Sequence, residues 1–139
     1  HMLAPLHYVP RWAQHMYRAT FIKLAMLNLS WHVRGRVLYI DNDVYTLRPA
    51  SHLLRVPAPA FTFYPHHLIG LNSGVFILHV RSAREVERAW LELLRMGPSK
   101  LKDGSDQEFW RGHLRRLSAR GLPVHELSRK HNFLNFEDI

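Results

Sequence analysis

Asp41 and Asp43 flank Asn42 directly after the apolar run at residues 36–40 (RVLYI). Two carboxylates one residue apart at the end of a strand give Mg2+ or Mn2+ hard oxygen ligands and leave positions open for phosphate oxygens and water. The same triplet also suits an ordinary turn, because Asp and Asn side chains readily bond their own backbone. Two other groups occupy comparable places. Asn72 and Ser73 precede an apolar run at residues 74–80 (GVFILHV), where an amide and a hydroxyl can bond ligand hydroxyls and Gly74 permits close backbone approach. An Asn-Ser-Gly turn is the alternative reading. Asp106 and Gln107 open a capped helix, and an acidic residue there also stabilises the helix dipole without any ligand. Lys23 lies 18 positions before Asp41 in a helical stretch, where a lysine ordinarily faces solvent.

The elements that must hold these residues follow from periodicity. Residues 12–29 carry a helical period, with Ala13, Met16, Tyr17, Thr20, Phe21, Leu24 and Leu27 on one side. The run at 36–40 shows little alternation, as expected of a strand buried on both faces in a parallel sheet. Its carboxyl end is where ligands bind in open α/β sheets, so the position of Asp41 and Asp43 is as informative as their spacing. A turn at Arg48 and Pro49 leads to a short helical piece at residues 52–54, and strands are expected at 61–64 and 74–80. Ser82 with Glu85 reads as a capping box for a helix with Val86, Ala89, Trp90, Leu93 and Leu94 on its apolar face, stopped by Gly97-Pro98. Arg81, Arg84, Arg88 and Arg95, with Glu85, Glu87 and Glu92 among them, read as a solvated, salt-bridged face. Ser105 with Glu108 forms a second capping box, for a helix through Phe109, Trp110, His113, Leu114 and Leu117 that Gly121 ends. A final strand is expected at 122–127. No repeat or linker interrupts the chain, so one mixed α/β domain over residues 1–139 is the economical organisation.

Composition sets outer bounds. The chain has 139 residues, of which 47% are hydrophobic and 12% aromatic, enough for a real core. No run reaches transmembrane length. Cysteine is absent, which removes disulfides and thiolate metal sites. His1-Met2 looks like a cloning remnant, so a leader or anchor could lie upstream; with none in the chain, a cytoplasmic location is favoured. The formal charge of +8, from 19 Lys plus Arg against 11 Asp plus Glu, favours polyanionic partners in general. Aromatics are not interleaved with basic residues as a single-strand platform requires, so nucleic acid is not the expected partner.

Four segments together resemble a known family. Residues 21–24 (FIKL), 37–44 (VLYIDNDV), 71–78 (LNSGVFIL) and 104–109 (GSDQEF) agree in type and order with glycosyltransferases of the GT-A type, closest to family 8, the glycogenin and lipopolysaccharide galactosyltransferase group. Leu122-Pro123 with Asn132-Phe133 is similar to a fifth family stretch, with His131 where Tyr is usual. The match covers most of this chain but about half of a family member. The N-terminal nucleotide-binding strands and the C-terminal His-x-x-Gly-x-x-Lys-Pro-Trp segment have no counterpart, so the chain is expected to be a GT-A core truncated at both ends.

The resemblance implies a partial GT-A, Rossmann-like mixed sheet flanked by helices, and metal-dependent sugar transfer from a nucleotide-sugar donor, UDP-linked in most of the family, with retention of configuration. It implies Mn2+ or Mg2+ held by Asp41 and Asp43, with Lys23, Asp41, Asn42, Asn72, Ser73 and Asp106 on the donor. Asp106 would bind sugar hydroxyls, and Gln107 would lie near the anomeric carbon as weak nucleophile or oxocarbenium stabiliser. The acceptor, saccharide or protein, is left open. His125 and His131 are the substitutes for the missing third metal ligand, and His66 and His67 are candidates to touch an acceptor. Without the family's first strand, the strand carrying the Asp pair would be an open edge, so a second copy or a partner chain is expected to cover it. Two other classes stay open at this point: a non-catalytic remnant serving as a binding or assembly module, and a basic nucleic-acid binder.

Overall fold

The apolar runs pair into one mixed sheet. The computed structural model describes residues 23, 24, 26, 29, 33–63, 70–80, 83–96 and 105–131. In chain order the strands are β1 (Gly35–Ile40), β2 (Ala60–Phe63), β3 (Leu71–Val80) and β4 (His125–Leu127), and across the sheet they run β1-β3-β2-β4. β3 is antiparallel to both its neighbours, while β4 runs parallel to β2. The two helices are α1 (Ala83–Met96) and α2 (Asp106–Ala119), and 3-10 segments occupy Ser51–Arg55 and Arg129–His131. The expected α/β class therefore holds for the described residues.

The parallel pairing expected of β1 does not hold, whereas its expected place at an edge does among the described residues. β1 pairs antiparallel with β3, has no second neighbour among the described residues, and is only half-buried along most of its length. A short apolar run records that a strand is partly buried, not which way its neighbour runs or on how many sides it has one.

The sheet separates two apolar clusters. On one face Leu24, Phe61, Leu71, Phe76 and Leu78 pack with Ala89 and Leu93 of α1 and with Phe109, Trp110 and Leu114 of α2. On the other, Ala60, Val75, Ile77 and Leu127 pack with Leu53 of the 3-10 segment. The first face contains a cross-strand aromatic ladder, because Tyr39 and Phe61 are both register partners of Phe76. Their rings stack on Phe76 at 4.8 Å each, and Trp110 lies against Phe61 and Phe76 at 5.5 and 5.3 Å. Such pairs add about 0.5–1.5 kcal/mol each beyond area burial.

β3 is not regular. Phe61 faces Phe76, but the next residue, Thr62, faces Asn72, so Ser73, Gly74 and Val75 have no partner in β2. The odd number of extra residues shifts the side-chain phase, which is why Leu71 and Phe76 lie in the same cluster despite being five positions apart.

Helix ends follow their local sequence. Ser105 caps α2, its Oγ accepting from the Gln107 backbone N–H at 3.3 Å. Glu108, three residues on, accepts from Arg111 at 2.7 Å. At the other end Gly121 takes φ 74°, and Leu122 N–H and Gly121 N–H donate to Leu117 and Ser118 carbonyls, a Schellman closure that favours glycine. On α1, Ala89 and Leu93 are buried as expected, whereas Leu94 is 41% exposed. Arg84, Arg88 and Arg95 are exposed, in keeping with a solvated face, but Glu92 turns inward to α2. The expected final strand shortens to His125–Leu127. Of the helix at 12–29 only Lys23, Leu24, Met26 and Leu29 are described, and Tyr64, His66, His67, Arg81, Ser82, Gly97, Pro98, Asn132 and Phe133 lie outside the described residues. Among the described residues, no helix is long and apolar enough to cross a membrane.

Candidate functional site

Lys23 is buried, with 6% of its surface exposed, and its ammonium is the centre of a polar cluster. It donates to Asp41 Oδ2 at 3.0 Å, to the Ser73 carbonyl at 3.2 Å and to Ser73 Oγ at 3.2 Å. Asp106 Oδ2 lies 3.8 Å away. The ammonium also sits 5.4 Å from the Tyr39 ring centroid, within cation–π range. Four residues far apart in sequence are thus brought to one point.

Each is placed by its element. The Asp41 backbone N–H donates to the Gly74 carbonyl at 2.8 Å, which carries the β1–β3 ladder one residue past the Ile40 and Val75 pair and fixes Asp41 beside the irregular stretch of β3. That stretch gives Ser73 the orientation to offer both oxygens to Lys23. Bulges re-aim side chains in this way, and they concentrate next to functional sites. Asp106 is the first residue of α2, held by the Ser105 cap.

Two further residues complete the cluster, and the sequence reading missed both. Tyr39 Oη donates to Asp41 Oδ1 at 2.8 Å, and Trp110 Nε1 donates to Asp106 Oδ2 at 2.9 Å. Both read as core aromatics. Spacing was the available signal: Tyr39 precedes Asp41 by two, the strand period, and Trp110 follows Asp106 by four, the helical one.

The electrostatics are those of one buried cation between two carboxylates. Burial raises the Asp106 carboxyl to about 6, against the pull of Lys23 and of hydrogen bonds from Ser73 and Trp110, and Asp41 adds to the rise. The Tyr39 hydroxyl is pushed well above its ordinary value, first by burial and then by its bond to Asp41, so it acts as a neutral donor. Asp106 is thus a carboxyl held well above its ordinary range beside a buried ammonium.

The other expected site residues are distributed around this core. Asn42 and Asp43 occupy the exposed turn after β1, closed by Val44 N–H donating to the Asp41 carbonyl at 3.1 Å. Asn72 is buried, and its Oδ1 accepts from the Gly74 N–H at 2.7 Å, the turn role that the sequence left as the alternative. Gln107 is half-buried beside Asp106.

Hard oxygen donors are present for a divalent cation, but few. Asp43 is exposed, and the Asp41 side chain is 25% exposed with both oxygens already accepting a hydrogen bond. Among the described residues, no three His, Cys, Asp or Glu side chains gather to hold a metal ion. Neither histidine substitute joins Asp41. His125 opens β4, at the opposite edge of the sheet from β1 and so about 14 Å across three strand spacings, and the His131 ring faces that of His52 at 5.5 Å. Asp41 and Asp43 therefore fit a cation only if phosphate oxygens and water supply its remaining ligands, the usual arrangement for Mg2+.

Compared with known proteins, the chain matches no family model, and no curated protein matches it significantly.

Proposed function

We propose that this chain is the donor-binding core of a GT-A glycosyltransferase related to family 8, binding a nucleoside-diphosphate sugar, UDP-linked, and transferring the sugar with retention. The observation that carries this reading is the convergence of Lys23, Asp41, Ser73 and Asp106, one from each of the four segments on which the resemblance rests. That residues matched in four separate motifs meet at one point supports a shared site.

In this reading Lys23 and the exposed Asp43 turn border the diphosphate, and Asp41 and Asp43 hold Mn2+ or Mg2+. When bound, the cation would stabilise charge growing on the leaving diphosphate, an interaction stronger in the transition state than in the ground state. Asp106 would accept from sugar hydroxyls and Ser73 would offer its own; both are buried beside Lys23 in the free chain, so the donor would have to open the cluster to reach them. Gln107 stands next to Asp106, on the side assigned to the anomeric carbon.

A second reading, a non-catalytic descendant that keeps the fold as a binding or assembly module, is favoured by one observation. Both Asp41 oxygens are already engaged by Lys23 and Tyr39, so the cluster is satisfied without a ligand. Calorimetric titration with UDP, with and without Mn2+, separates the readings. Donor binding predicts a Mn2+-dependent increment that Asp43→Ala removes. Binding indifferent to metal, or unchanged in Asp43→Ala, sinks the glycosyltransferase reading, and salt-sensitive duplex binding by that variant would favour the nucleic-acid class instead.

A further inference from the structure

A second cavity, of about 370 Å³, opens at the other end of the sheet. Its floor includes Leu78 and Leu117, with Leu122 and Pro59 at the wall. Leu78 pairs with Val37, four residues before Asp41, so at about 3.3 Å per residue the cavity lies roughly 13 Å along the strands from the lysine cluster. It is too far to be an extension of that cluster.

The volume is that of a small-molecule site, and the pattern of an apolar wall with a few polar groups is the usual one. Charge decides what it would hold. Arg88 and Arg120 line it and are both exposed, and among the described residues neither meets a carboxylate within ion-pair distance. The carboxylate that lines it among the described residues, Glu92, is already taken. Its Oε2 accepts from His113 Nδ1 at 2.6 Å and from Arg116 at 3.0 Å, and these bonds hold its carboxyl down to about 2 against the opposing effect of burial. The two guanidinium groups are thus without a carboxylate partner among the described residues, in a lining that also holds His79 and His113 beside its leucines and prolines.

We propose that this cavity is a binding site for a small amphipathic anion, a carboxylate or phosphate ester on an aromatic or branched apolar body. The body would fill the leucine-lined floor, and the anionic head would meet Arg88 and Arg120, whose planar forks suit both carboxylate and phosphate. A purely inorganic anion would leave the floor wet, and a neutral hydrocarbon would leave the charges unmet. The inference is independent of the donor site.

Phenyl phosphate is the probe, titrated into the full chain with leucine methyl groups observed by NMR. Saturable shifts at Leu78, Leu117 and Leu122 are expected, with inorganic phosphate and benzyl alcohol each binding at least about tenfold more weakly. Arg88→Ala/Arg120→Ala should weaken phenyl phosphate by about tenfold or more while leaving benzyl alcohol unchanged. Leu122→Glu, at a position 39% exposed, places a carboxylate in the wall without opening the core and should also abolish binding. Shifts absent from these leucines, inorganic phosphate binding as well as the ester, or full affinity in either variant would each overturn the proposal.

Discussion

Replacing Lys23 by Met keeps the aliphatic stem and deletes the charge that the two aspartates share. Asp41, with its side chain 25% exposed, can be rehydrated; Asp106, 2% exposed, cannot, and will keep its proton. In the wild type the Asp106 carboxyl lies at about 6, raised from 3.8 by burial. A raised folded-state value means that its favourable contribution is full below 3.8 and is lost as pH rises through 6. In the variant that loss continues upward. At about pH 7.5, a unit and a half above the wild-type midpoint, a carboxyl still held protonated costs roughly 2 kcal/mol more than in the wild type, and at about pH 5 almost nothing more. The lost hydrogen bonds to Asp41 and Ser73 add about 1–2 kcal/mol at either pH. The total near pH 7.5, roughly 3–4 kcal/mol, agrees with the cost of breaking a buried pair from one side. Urea unfolding followed by tryptophan fluorescence at the two pH values measures it, with Lys23→Met/Asp106→Asn expected to recover most of the pH-dependent part. A loss equal at both pH values, or no recovery in the double variant, would show that Asp106 does not feel the ammonium and would refute the charge account of the cluster.

Other outcomes can be checked with the same unfolding assay. Glu92 is held from 4.5 down to about 2 by His113 and Arg116, so its contribution is present above pH 4.5 and lost as pH falls toward 2. Glu92→Gln should flatten the acid limb between those values, removing up to about 3 kcal/mol above it; an unchanged acid midpoint would contradict the interhelix bond. Tyr39→Phe keeps the ring stacked on Phe76 and deletes only the donor to Asp41, so a loss of about 1 kcal/mol is expected, and no measurable loss would mean that water replaces the hydroxyl freely. Asp43→Ala, at an exposed turn, should change stability by less than about 0.5 kcal/mol, which keeps its effect on UDP and Mn2+ binding interpretable.

The sequence was most legible where one residue type at one place had a reason of its own. Asp41 and Asp106 could be named because each sits at an element end with a chemical function to offer, Ser73 because it precedes an apolar run, and Lys23 through the family resemblance. The helices were visible through Ala89, Leu93, Phe109, Trp110 and Leu114, whose spacing fits one face. What the residues did not encode locally was relational. Strand direction depends on the partner, so RVLYI read as parallel when it is antiparallel, although its place at an edge was expected from the missing first strand. The irregular stretch of β3 depends on register with β2, which Asn-Ser-Gly hints at only as a turn. Tyr39 and Trp110 were hidden by their rings, since an aromatic on an apolar face is explained by packing before its polar tip is considered.

The three residues of β3 that skip β2 have a consequence for how this chain can change over generations. They are free of β2 but tied to β1, because Val75 pairs with Ile40 and the Gly74 carbonyl accepts from the Asp41 N–H. Loss of one codon there would leave two residues in place of three, withdrawing Ser73 from Lys23 and turning Leu71 away from the cluster it shares with Phe76. The polar centre and the core are therefore inherited together: a lineage cannot drop this part of the chemistry by a single in-frame deletion without also disturbing the fold.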